Sequence, residues 1–104
     1  MTVDLFPTLC KVHGIPEPQC EFRFLKDRKF RFDYAWPDAM LAIEKNGAIW
    51  KKGGHSSGLG LLRDYEKLNL GQLAGWTVLQ YTPQQLTSES TLETLKTVLG
   101  AKQR

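Results

Sequence analysis

Apolar residues change their spacing along the chain, and each change marks an element. Leu5, Leu9 and Val12 recur at helical spacing, which predicts a short helix over residues 2–12, ended by Gly14 and the stiff Ile15-Pro16-Glu17-Pro18 connector. From residue 21 the period falls to two. Phe22 and Phe24 alternate with Glu21, Arg23 and Leu25; beyond Lys26-Asp27-Arg28, the residues Phe30, Phe32 and Tyr34 alternate with Lys29, Arg31 and Asp33. Two such runs around a polar break predict a hairpin. Trp36-Pro37-Asp38-Ala39 supplies a second turn, with Pro37 fixing φ, and residues 40–46 read as a third strand stopped by Gly47. After the loop chemistry of Lys51 to Gly58, helical spacing returns over residues 60–74 through Leu61, Leu62, Tyr65, Leu68 and Leu73, ended by Gly75. Residues 76–82 predict a fourth strand. Thr87 or Ser88 then caps a last helix that buries Leu92, Leu95, Val98 and Leu99.

The resulting order is α-β-β-β-α-β-α. A helix between strands three and four makes that pair a parallel, right-handed crossover added to an antiparallel meander. The expectation is an α/β protein with a mixed four-stranded sheet flanked by helices. At 104 residues and 41% hydrophobic composition, the chain can bury about 60% of its unfolded surface, enough for one domain over 1–104. It has no apolar run of membrane-spanning length and no signal-like start, so a cytoplasmic protein without a membrane partner is expected. The two cysteines, Cys10 and Cys20, have no framework spacing and are expected to be free thiols.

Register turns this layout into chemistry. A three-residue first turn places Glu21 opposite Asp33 and Phe22 opposite Phe32, with the phenyl rings on one face and the acids on the other. A two-residue second turn, Pro37-Asp38, then sets Asp33 opposite Ala42 and makes Glu44 its diagonal neighbour on the acid face. Carboxylates this close repel unless a cation neutralises them, and an all-oxygen set suits Mg²⁺ or Mn²⁺. The same alternation also fits a half-exposed sheet whose acids pair with Arg23 and Arg31.

Asp33, then ten residues, then Glu44-Lys45-Asn46, followed by a helix and a strand, resembles the PD-(D/E)xK, restriction-endonuclease-like nuclease superfamily. GIPEP at 14–18, EFRF at 21–24, RFDYAWPDAMLAIE at 31–44, GGH at 53–55 and DYEKLNLGQLAGWTVLQYTP at 64–83 resemble its small stand-alone, phage-type endonucleases and Holliday-junction resolvases. The resemblance covers residues 9–83 and implies an αβββαβ core. It implies metal ligation by Asp33 and Glu44, with Glu21 as the additional acid. It departs at position 46, where Asn46 stands in place of the superfamily's lysine. Lys45 is on the wrong face to substitute, whereas Lys67, on the helix packed near the sheet, can, and relocated lysines occur in this superfamily. Lys67 could equally be a surface partner of Asp64 or Glu66.

His55, between glycines and serines, is a candidate to protonate a leaving oxygen or contact phosphate, or the segment is a plain flexible crossover. Ten basic and seven acidic residues lie between Glu21 and Lys67. With three of those acids engaged by a cation, the surplus becomes a phosphate-facing charge carried by Arg23, Arg31, Lys51, Lys52 and Arg63; without a cation it is a mixed-charge surface. The expectation is a Mg²⁺- or Mn²⁺-dependent DNA endonuclease, structure-selective for branched or junction DNA or weakly sequence-specific, acting as a homodimer in a bacterial or phage-infected cell. Asp33, Glu44, Lys67 and His55 are its catalytic candidates. The alternative is a nuclease-like DNA-binding or protein-interaction subunit without catalysis, motivated by Asn46.

Overall fold

A computed structural model describes residues 4–45 and 58–102. The expected elements are all found there, with sharper bounds. They are α1 (Phe6–Val12), β1 (Gln19–Arg23), β2 (Arg31–Trp36), a 3₁₀ turn (Pro37–Ala39), β3 (Leu41–Lys45), α2 (Gly58–Leu73), β4 (Thr77–Tyr81), α3 (Pro83–Leu86) and α4 (Glu89–Lys102). The sheet runs β1-β2-β3-β4, antiparallel except for the parallel β3–β4 pair. Gly75, at φ +96°, closes α2 by adopting a conformation that costs a side-chain-bearing residue dearly. Ser88 caps α4, its Oγ accepting from Thr91 N–H at 3.3 Å. The one-turn α3 was not anticipated; it rests on a reciprocal cap in which Thr82 Oγ1 accepts from Gln85 N–H and Gln85 Oε1 accepts from Thr82 N–H.

Helices cover both faces of the sheet. On one face Phe6, Cys10 and Ile15 pack with Tyr34, Trp36, Leu41, Ile43, Leu86, Leu92, Leu95 and Leu99. On the other, Phe32, Ala35, Ala42 and Trp76 form a smaller cluster joined by Phe22, Phe24 and Val78. There α2 comes so close that a Cβ on Gly71 would lie 3.0 Å from Phe32 Cζ. Both cysteines are free, and burial pushes the Cys10 thiol up to about 12, so it serves as a core residue.

Three expectations about faces are corrected. The helix α1 buries Phe6 and Cys10, whereas Leu5 and Val12 are exposed. The helix α2 turns Leu62, Tyr65 and Leu73 outward and buries Gly71, because only a residue without a side chain admits the Phe32 ring at that contact. The third correction concerns the pleat. The first hairpin has the expected register, Phe22↔Phe32 and Arg23↔Arg31. Yet Phe32 faces α2 while Tyr34, two residues on, faces α4. The switch falls at Asp33 and at the facing Glu21, which has φ 51°. A left-handed residue re-aims the chain by half a pleat, as a bulge does. Consequently Glu44, in phase with Ala42, lies on the same face as Phe22 and Phe32, and the acids do not line a separate face.

Candidate metal and phosphate site

The second turn positions the site. Instead of a two-residue loop, Pro37 to Met40 form a four-residue connection that ends with Met40 at φ 51°, so that Trp36 pairs with Leu41. The connection remains even-numbered but moves the register by two residues. Asp33 therefore comes opposite Glu44 rather than Ala42. The backbone ladder stops one pair earlier, at Tyr34↔Ile43, and the two acids replace it. Asp33 N–H donates to Glu44 Oε1 at 3.3 Å, and Lys45 N–H donates to Asp33 Oδ2 at 2.6 Å. Each carboxylate thus uses one oxygen to tie the strands together, and Asp33 Oδ1 and Glu44 Oε2 bond no other described residue.

From the helix side, Lys67 brings its Nζ to 2.7 Å from Glu44 Oε1, with both side chains largely covered, 16% and 18% exposed. The same ammonium lies 5.9 Å from the centre of the Phe32 ring. Glu66, by contrast, pairs with Arg28, so Lys67 belongs to the sheet's acid and is not a surface partner of Glu66. Burial pushes the Glu44 carboxyl above its ordinary value; the Lys67 hydrogen bond and charge pull it down and the Asp33 charge pushes it up, with a net rise. A carboxylate left in that balance attracts further positive charge. Lys45 takes the opposite face, with Nζ 6.0 Å from the Tyr34 ring.

Glu44, Lys45, Asp64, Lys67, Leu68 and Gln80 line a pocket of about 160 Å³ at this end of the sheet. Gln80 was not anticipated, and Asp64 was expected only as a surface partner of Lys67. Both had a signal: Asp64 lies one turn before Lys67 on α2, and Gln80 is the ladder partner of Glu44 across the parallel β3–β4 pair. Among the described residues no group of three or more His, Cys, Asp or Glu side chains is arranged as a metal site; Glu21 is exposed and has φ 51°. Burial first, and then the charges of Asp4 and Glu21, push the Cys20 thiol above its ordinary value. Arg31 and Arg63 are exposed. Arg23, also exposed, folds its guanidinium onto its own loop, with Nε donating to Arg28 O and Nη2 to Lys26 O, both at 2.9 Å. Lys51, Lys52 and His55, like Asn46, lie outside the described residues. Comparisons with protein-family models, curated proteins and solved structures find no match.

Proposed function

We propose that the chain is a metal-dependent DNA endonuclease of the PD-(D/E)xK, restriction-endonuclease-like type, selective for branched DNA structure or weakly sequence-specific. The observation that carries this reading is the meeting of Asp33, Glu44 and Lys67, two acids on adjoining strands with an ammonium from the facing helix, beside a pocket that Glu44 and Lys67 line.

The donor set fits a hard divalent cation. Two carboxylates each retain an oxygen that no described residue engages, and Gln80 lines the same pocket with a further side chain bearing oxygen. Mg²⁺ or Mn²⁺ held by Asp33 and Glu44 would polarise a phosphoryl oxygen and make a bound water more acidic. The chain's own residues supply the rest. Lys45 N–H holds the Asp33 carboxylate in orientation. Lys67, a flexible ammonium already against Glu44, stabilises the charge that builds on the phosphoryl oxygens when a phosphodiester enters the pocket. It takes the part of the lysine missing at Asn46. The aliphatic side of Leu68 and the Phe32 ring beneath Lys67 lower the local dielectric and so strengthen that interaction. One pocket per chain cuts both strands of a junction most simply as a two-fold dimer.

The test is incubation of the protein with labelled linear, nicked and four-way DNA, with Mg²⁺, with Mn²⁺ and with chelator. Cleavage is expected only with metal, and Asp33→Ala and Glu44→Ala are expected to lose it while binding DNA as well as or better than the wild type, since each removes a repulsive charge. Binding without cleavage under every condition would instead favour the non-catalytic subunit, and cleavage in chelator would sink the mechanism.

A further inference from the structure

Residues 23–31 hold five Lys or Arg and one Asp, a net +4 in a chain whose total is +3, so the other 95 residues together sum to −1. The end of the first hairpin is thus one of two basic stretches of the sequence, residues 45–63 carrying four further Lys or Arg and no acid. The five cations do not share one task. Arg23 folds its guanidinium back onto the loop, donating to the carbonyls of Lys26 and Arg28. Arg28 pairs with Glu66 on α2 and lies over the Phe30 ring, 4.6 Å from its centre. Phe24 stacks on Phe32, with ring centres 3.9 Å apart and planes within 6°. Two cations and an aromatic ring thus fix the shape of the loop. Lys26, Lys29 and Arg31 are exposed and make no ion pair with any described residue.

That division is costly without an anionic ligand. Arg31 lies directly opposite Arg23 in the ladder, and like charges in that position destabilise a hairpin. A braced loop with outward cations suits a partner that presents repeated negative charges and loses little entropy on docking to a preformed surface. The loop's location names the partner. Phe24 stacks on the ring, Phe32, that underlies the Lys67 ammonium, and Glu66, the anchor of Arg28, adjoins Lys67 on α2. The loop and the pocket lined by Glu44 and Lys67 are one aromatic ring apart, on the same side of the sheet.

We infer that the β1–β2 loop is a duplex-tracking element, in which Lys26, Lys29 and Arg31 contact the phosphates flanking the one in the pocket. The inference rests on the DNA reading of the Asp33–Glu44 site. It reassigns Arg23 from a phosphate contact to a brace, and adds Lys26 and Lys29.

The experiment is anisotropy of a fluorescent 20-base-pair DNA duplex, with protein in chelator, across a series of salt concentrations. Each lost phosphate contact lowers the slope of log affinity against log salt by about 0.9. Lys26→Gln/Lys29→Gln is expected to lower it by about 1.8, and to weaken binding more than tenfold at low salt. Lys11→Gln/Lys96→Gln removes the same charge from exposed positions on α1 and α4, across the sheet, and is expected to leave the slope unchanged. A slope that is the same in wild type and Lys26→Gln/Lys29→Gln, or that falls equally in both double variants, overturns the assignment of the loop. If the wild type binds no duplex, the DNA reading fails with it. If the slope falls as expected but the protein cuts no DNA with Mg²⁺ or Mn²⁺, the loop assignment stands and the nuclease reading falls.

Discussion

At the scale of single residues, Glu44 bears the balance of the site. Its carboxyl is raised above 4.5 mainly by burial, so the folded protein holds that proton to higher pH than the unfolded chain does. The contribution of Glu44 to stability is therefore full below the unfolded value and is lost as pH rises through the folded one. Glu44→Gln lacks this dependence. The wild-type Tm minus the Glu44→Gln Tm should accordingly fall as pH rises from 4.5, and a difference that is flat or rising with pH would contradict the burial argument. Lys67 offsets part of the cost. Their contact lies between a surface pair and a buried one, so a double-mutant cycle of Glu44→Gln and Lys67→Met in urea should give a coupling of about 1–3 kcal/mol. A coupling near zero would return Lys67 to the surface. In cleavage, Lys67→Met should lower turnover about 10²-fold or more, while Lys45→Met, whose side chain lies on the Tyr34 face, should stay within a few-fold. Asp33, Glu44 and Lys67 are legible in the sequence because acid spacing in strands and the position of a lysine on the crossover helix are properties of order and period. The folding of Arg23 back onto its loop is not, since it depends on where two loop carbonyls come to point.

At the scale of elements, spacing gives type and order well and faces less well. The helix α4 buries Leu92, Leu95 and Leu99 as its period predicts, because an uninterrupted leucine stripe has one way to pack. The helix α2 carries leucines on both sides, and its buried face is chosen by Gly71 meeting Phe32, a contact that no hydrophobic count reveals. The half-pleat switch at Glu21 and Asp33 leaves no mark either, since glutamate seldom adopts positive φ. The second turn was legible only as an even-numbered connection, which proved sufficient to keep Asp33 and Glu44 in phase across β2 and β3. Two glycines test this packing in opposite directions. Gly71→Ala should destabilise by about 1 kcal/mol or more despite its better helix propensity, because Phe32 is held between Phe24 and Trp76 and cannot yield. On α4, Gly100 has open space where its Cβ would go, and Gly100→Ala should stabilise by about 0.5–1 kcal/mol. Chemical denaturation of both variants checks the pair; stabilisation by Gly71→Ala would mean that α2 stands off the sheet.

At the scale of the molecule, the sheet separates two tasks. Its α1 and α4 face carries the larger core, and its α2 face combines a small aromatic cluster with the acids, the lysine and the basic loop. The end of the first hairpin, residues 23–31, adds a net +4 on the α2 side, in a chain whose total is +3. Among the described residues no helix is long and apolar enough to cross a membrane. The central claim is that Asp33 and Glu44 together form a divalent-cation site with Lys67 beside it. The most direct measurement is a calorimetric titration of Mn²⁺ into the DNA-free protein. One ion per chain is expected for the wild type, none at that site in Asp33→Ala or Glu44→Ala, and tighter binding in Lys67→Met, where the competing ammonium is gone. Binding in Glu44→Ala equal to that of the wild type would contradict the claim.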